Sequence, residues 1–205
     1  PAQADDGGPR RELALENPAL AASEAARADL KYIAHCALDH RSVLVAEHAG
    51  REYRFPGQLG LAPRWHAQPM TPDEQRWVSA CLLALQNHKG RQVQVSLLLS
   101  ARPNAGVRGG WLDATHQYPL AEGRYFGNLF APQPTAYVCS PAWNEAETQR
   151  WRERHRLCAL PLPAGADGQA RSVCEMVHVG PCSDTTLQQD GVHYTQSVQV
   201  FLPAD

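Results

Sequence analysis

The chain has 205 residues, 43% of them hydrophobic, with 19 Lys and Arg against 21 Asp and Glu. That length and apolar share suit one domain, or one with a small appendage, built on a sizeable core. The formal net charge of -2 provides no field for nucleic acid, and no apolar run approaches the roughly 20 residues of a bilayer span, so neither partner is expected.

Residues 1–20 read as a polar leader and 21–205 as a single disulfide-stabilised domain. Asn17-Pro18 and Ser23-Glu24 both offer helix starts. Leu30, Ile33, Ala34, Ala37 and Leu38 then recur at helical spacing, and the helix is expected to end near Asp39-His40. Ser42 to Ala46 and Glu52 to Phe55, joined through Ala49-Gly50, predict a β-hairpin. Gln58 to Pro69 is irregular, with Leu59, Leu61 and Trp65 as anchors. Thr71-Pro72-Asp73-Glu74 predicts a cap, a first-turn proline and a capping box. The helix it opens carries Trp77, Val78, Cys81, Leu82 and Leu85 on its apolar face and stops before Gly90.

Val93 to Leu99 is apolar at nearly every position after Gln94, which predicts a central strand covered on both faces. Arg102 to Gly123 reads as a long loop, Arg124 to Phe130 and Thr135 to Cys139 as strands, and Asn144 to Arg156 as a surface helix. In that helix Arg150, Arg152, Arg154, His155 and Arg156 interleave with Glu145, Glu147 and Glu153. The pattern fits a solvated face, with an acidic partner surface as the second reading. Ser197 to Leu202 is the last strand. The order predicts an α+β fold: two or three helices in the N-terminal half and a mainly antiparallel, disulfide-stabilised sheet.

Cys36, Cys81, Cys139, Cys158, Cys174 and Cys182 make an even count, and no two are separated by two residues. Redox, zinc-knuckle and haem spacings are therefore absent, and three disulfides formed in an oxidising compartment are expected. Six cysteines allow 15 pairings. Cys36 and Cys81 both fall in predicted helices, which suggests a helix–helix bridge. A hairpin flanking Pro161 to Arg171 would set Cys158 opposite Cys174 and leave Cys139 for Cys182. An extended run would hold Cys174 and Cys182 roughly 20 Å apart, too far to pair with each other unless the chain folds back at Gly180-Pro181.

Tyr53 to Trp65, Glu74 to Ala84 and Tyr125 to Phe130, together with Cys139, Cys158 and Val179-Gly180-Pro181-Cys182, resemble a family of proteins. They are uncharacterised, cysteine-containing exported proteins and lipoproteins of Gram-negative bacteria, abundant in myxobacteria. The resemblance runs from about Leu30 to the C-terminus. It implies export and disulfides, hence an extracellular, cell-surface or periplasmic location, and it implies no activity. Lipoprotein members begin with a lipidated cysteine. Pro1 stands here instead, so no lipid anchor is visible.

Catalytic signatures are sparse. No G-x-S-x-G elbow and no H-E-x-x-H helix exist, and Gly106 to Gly110 lacks the lysine and helix of a phosphate loop. His35 and Asp39, spaced i, i+4, could share a helix face, and His88 could join them if Cys36 and Cys81 were bridged. That trio is the metal candidate, against a plain solvated or capping pair. Trp111 and Asp113, in the long loop, are the one place for carbohydrate, against a tryptophan folded onto the core. No cofactor is expected. The expectation is an exported, non-enzymatic binding or structural subunit that meets a protein partner or a second copy through residues 1–20. The alternatives are an exported hydrolase with an unadvertised Ser/His or carboxylate site, or a metal-binding exported protein.

Overall fold

A computed structural model of the protein describes residues 10–88, 93–100, 117–152, 156–182 and 187–203. These fall into two compact units divided between Val78 and Ser79. The fold is α+β, with three α-helices and mostly antiparallel sheets among the described residues.

The first unit runs β1 (Arg11–Ala14), a 3-10 turn (Pro18–Ala21), α1 (Glu24–Ala37), β2 (Ser42–His48) and β3 (Arg51–Pro56), and takes in the start of α2 (Pro72–Leu85). Both helix starts read from sequence are used. Asn17 accepts from Ala19 N–H at 3.1 Å and Ser23 from Ala26 N–H at 3.0 Å, each satisfying an orphan donor of a first turn. The sheet order is β1-β2-β3. β2 and β3 form a hairpin through Ala49-Gly50, where both residues have positive φ, as a two-residue type I′ turn requires. β1 pairs parallel with β2, Leu13 opposite Leu44. Within the segment read as a leader, Arg11–Ala14 is therefore a strand, and Leu13 joins Leu30, Ala34, Leu38, Leu44 and Phe55 in one apolar cluster.

α1 stops earlier than its periodicity suggests. Leu38 leaves the helix at ψ 151° to enter the core, and Asp39 turns to cap the entry to β2. Asp39 Oδ1 accepts from Arg41 N–H at 2.9 Å and lies 3.2 Å from Ser42 Oγ. The last carbonyls of α1 are not left bare. Gln58 and Leu59 donate to His35 O, Leu61 to Cys36 O and Ala62 to Ala37 O, at 2.8–3.1 Å. The irregular segment after β3 is thus the C-terminal cap of α1. Gly57 permits that approach, since a Cβ there would lie 2.4 Å from Asp39 O. The capping box at α2 forms as predicted. Glu74 accepts from Thr71 N–H at 2.8 Å, and Thr71 Oγ1 accepts from Glu74 N–H at 3.3 Å.

The second unit holds β4 (Ser96–Leu99), β5 (Leu120–Asn128), β6 (Thr135–Ser140), α3 (Glu145–Arg152), β7 (Val177–Pro181), β8 (Leu187–Gln189), β9 (Val192–Tyr194) and β10 (Val198–Leu202). Its main sheet has the order β4-β10-β5-β6-β7, antiparallel except that β7 runs parallel to β6. This corrects the reading of the Val93 to Leu99 run, because β4 lies at an edge and β5 is the central strand. β8 and β9 form a separate hairpin. Phe126, Tyr137, Cys139, Leu187 and Tyr194 make an apolar cluster there.

Three disulfides are present and no cysteine is free. Cys139 pairs with Cys182 and Cys158 with Cys174, and Cys36 and Cys81 are disulfide-bonded as well. The predicted pairing around Pro161 to Arg171 exists: Leu162 N–H donates to Arg171 O at 2.7 Å and Val173 N–H to Leu160 O at 2.9 Å. No helix among the described residues is long and apolar enough to cross a membrane.

Candidate functional site

Among the described residues of the second unit, chemically active groups gather in several places. The first is a bulge. Along β10, Val200 faces Gly123 and Phe201 faces Ala121, so Glu122 is left without a partner. A bulge of this kind re-aims a side chain. Here it sends Glu122 fully inside, against Arg156, which is 2% exposed. Glu122 Oε2 accepts from Arg156 Nε at 3.0 Å and Nη2 at 2.9 Å, and Oε1 accepts from Cys158 N–H. Arg156 also donates to the Ala84 and Gln86 carbonyls, where α2 ends and a cation is favoured. Burial opposes the guanidinium's charge, but Glu122 raises its pKa above the ordinary value. The neighbouring Tyr125 hydroxyl is buried without a partner of good geometry, and burial followed by the Glu122 charge keeps it protonated. Every charge here is neutralised from within, so the cluster is structural. It also corrects the sequence reading, in which Arg156 lay on a solvated helix face.

The second place is a cleft of about 280 Å³ lined by Thr135, Tyr137, Arg171, Glu175, Gln189 and Asp190, among others. Tyr137 comes from β6 and donates its hydroxyl to Asp190, in the turn between β8 and β9. Burial first, then the Asp190 carboxylate, pushes the Tyr137 pKa up. Its ring stacks on Phe126 at 5.3 Å and meets Tyr194 edge-on at 5.8 Å. The apolar floor thus fixes a polar lip. Arg171 is held by Asp167 at 3.0 Å. Glu175 and Asp190 on the rim are exposed and both have positive φ. Asp190 does so within an Asp-Gly hairpin turn, which suits it; Glu175 has no such excuse of residue type.

The third place is a serine–histidine pair. Ser140 Oγ lies 2.9 Å from His178 Nε2. Gly180 N–H donates to His178 Nδ1 at 3.3 Å, so the ring proton sits on Nε2 and is given to Ser140. A nucleophile needs the opposite polarity, with the imidazole accepting the hydroxyl proton. Ser140 is also buried, and burial lowers the His178 pKa, keeping the ring neutral. The cleft is lined by neither residue.

His35 lies on α1 and is half-buried, with its pKa lowered by burial and then by Lys31. Asp39 is off the helix and already engaged, so the i, i+4 face that was to present both residues does not form. Among the described residues one set of three ligand-type side chains converges, and it contains His88, with Cys158 and Cys174, but neither His35 nor Asp39. Trp111 and Asp113 lie outside the described residues. The Tyr137–Asp190 and Ser140–His178 pairs were not anticipated. A signal for the first existed, because Asp190-Gly191 sits between Leu187-Gln188-Gln189 and Val192-His193-Tyr194, a hairpin pattern. Nothing in the sequence marks Glu122 and Arg156 as partners.

Comparison of the chain with protein-family models, curated proteins and solved structures returns no match.

Proposed function

We propose that the protein is an exported, non-enzymatic binding or structural subunit of a bacterial surface or periplasmic assembly. The observation that carries this reading is that all six cysteines are engaged in disulfides, a state that persists outside the reducing cytoplasm. Two further features support it. The Ser140–His178 pair is polarised against nucleophilic attack, and the one cleft described above carries a polar lip fixed by Tyr137 and Asp190. Such a lip suits a small hydroxylated or charged ligand, which hydrogen bonds orient and no nucleophile attacks.

The partner is a protein or a second copy, contacted through residues 1–20. In that segment β1 pairs only with β2 among the described residues. Its outer side is an edge to which another strand can add. The resemblance of Tyr53 to Trp65, Glu74 to Ala84 and Tyr125 to Phe130 to exported cysteine-containing proteins agrees with this assignment.

The test is alkylation of protein from its native source, unfolded without reductant and weighed by mass spectrometry. The expected outcome is no modified cysteine, and six modified cysteines would refute export into an oxidising compartment. Light scattering on size-exclusion eluate tests the subunit claim. A monomer at every concentration that recruits no partner through residues 1–20 counts against it.

A further inference from the structure

We propose that Cys158, Cys174 and His88 form a thiol-gated metal site, closed while the disulfide is intact. Once a dithiol reduces that bridge, the site takes one divalent cation of zinc type.

The geometry is already close. His88 Nδ1 lies 3.9 Å from Cys174 Sγ, and the three donor atoms lie within 4.8 Å of one another. Zinc binds thiolate at about 2.3 Å and imidazole at about 2.0–2.1 Å, so tetrahedral bonding places two sulfurs about 3.8 Å apart. Reduction frees the two sulfurs to take up that spacing, and the imidazole, 3.9 Å from Cys174 Sγ, closes on that sulfur by a few tenths of an ångström. His88 is exposed, which leaves the fourth position to solvent.

The two cysteines are held in place by more than their own bond. Cys158 N–H is anchored on Glu122, itself fixed by Arg156. The residues flanking Cys174 are held as well: Val173 N–H donates to Leu160 O at 2.9 Å and Glu175 N–H to Ser172 O at 2.8 Å. Reduction therefore leaves two thiols side by side on a hydrogen-bonded frame. Cys174 is partly exposed while Cys158 is buried, so an attacking thiolate meets the Cys174 sulfur. Among the described residues this is the one place where three such ligands converge.

The step balances. The dithiol gives two electrons and two protons to the bridge and ends as its own disulfide, leaving Cys158 and Cys174 as thiols. The cation then displaces both thiol protons to solvent and takes the lone pair of neutral His88. Thiolate and imidazole donors favour zinc or cobalt over calcium or magnesium.

The experiment uses the full chain, reduced with a dithiol, freed of it by gel filtration without oxygen, and titrated with cobalt(II). The expected result is one cobalt per chain, with a thiolate-to-cobalt charge-transfer band and tetrahedral d–d bands, and neither in the oxidised protein. His88→Ala should weaken binding by at least about tenfold, the lower end of what loss of even an outer-shell partner costs. Thiol mapping by mass spectrometry should show that zinc slows alkylation of Cys158 and Cys174, but not of the other four cysteines, and that His88→Ala removes the protection. Equal binding by His88→Ala, protection of other cysteines instead, or no protection anywhere would each overturn the proposal. The last includes a chain that unfolds on reduction, since such a site cannot hold a metal.

Discussion

Arg156 shows how far a single side chain can depart from its local pattern. Its neighbours alternate in charge like a solvated helix, yet its guanidinium is buried and shared between one carboxylate and two carbonyls. Removing one partner strands the other's charge. Glu122→Gln or Arg156→Met should each cost about 3–5 kcal/mol in urea unfolding, and Glu122→Leu with Arg156→Met together should cost less than the sum. None of this was legible, because the bulge that turns Glu122 inward is a property of the β5–β10 register. The histidines give a second residue-scale outcome. His35 and His178 have pKa values lowered by burial. The folded chain therefore binds fewer protons than the unfolded chain between the lowered values and the ordinary value of about 6.5. Stability is complete above that value and falls as pH drops below it. Denaturation midpoints at a series of pH values should show this slope, and His178→Gln should reduce it.

At the scale of elements, legibility followed the range of the interactions. The capping box at Thr71, the Ser23 cap and the Ala49-Gly50 turn are local, so the residues that specify them are adjacent in sequence. β4 was misplaced because an apolar run of β residues looks the same at the edge of a sheet as at its centre; β10, about 100 residues on, decides. The hairpin around Asp190-Gly191 was overlooked although its turn residues announce it, and with it the Asp190 side of the cleft. The Cys158–Cys174 bridge was legible because a short antiparallel segment brings its ends together. Its 16-residue separation against 43 for Cys139–Cys182 sets an order in the chain-entropy picture. Cys158→Ala with Cys174→Ala should cost about 3 kcal/mol and Cys139→Ala with Cys182→Ala about 4 kcal/mol. Equilibrium denaturation of the two double variants checks the ranking.

Over the whole molecule, the order of the predicted elements foresaw the α+β class, and the cysteine count foresaw the disulfides, since an even count without metal spacing is a global property. The boundary between the two compact units has no mark in the sequence. It falls inside α2, whose sequence runs from cap to last turn without a break in pattern. Each unit carries its own apolar cluster, one around Leu30, Leu38 and Leu44, the other around Phe126, Tyr137 and Tyr194.

The parallel pairing of β1 sets a timetable. Arg11 meets Ser42 across a crossover through α1, whereas β2 and β3 need only a two-residue turn. Short-range contacts close sooner than distant ones. A polypeptide threaded out N-terminus first would present Leu13 long before its neighbour Leu44 arrives, so the first strand of this sheet to be made becomes the last one seated in it. Pulse-labelled amide exchange during refolding should protect residues 42–46 before 11–14, and the reverse order would contradict it.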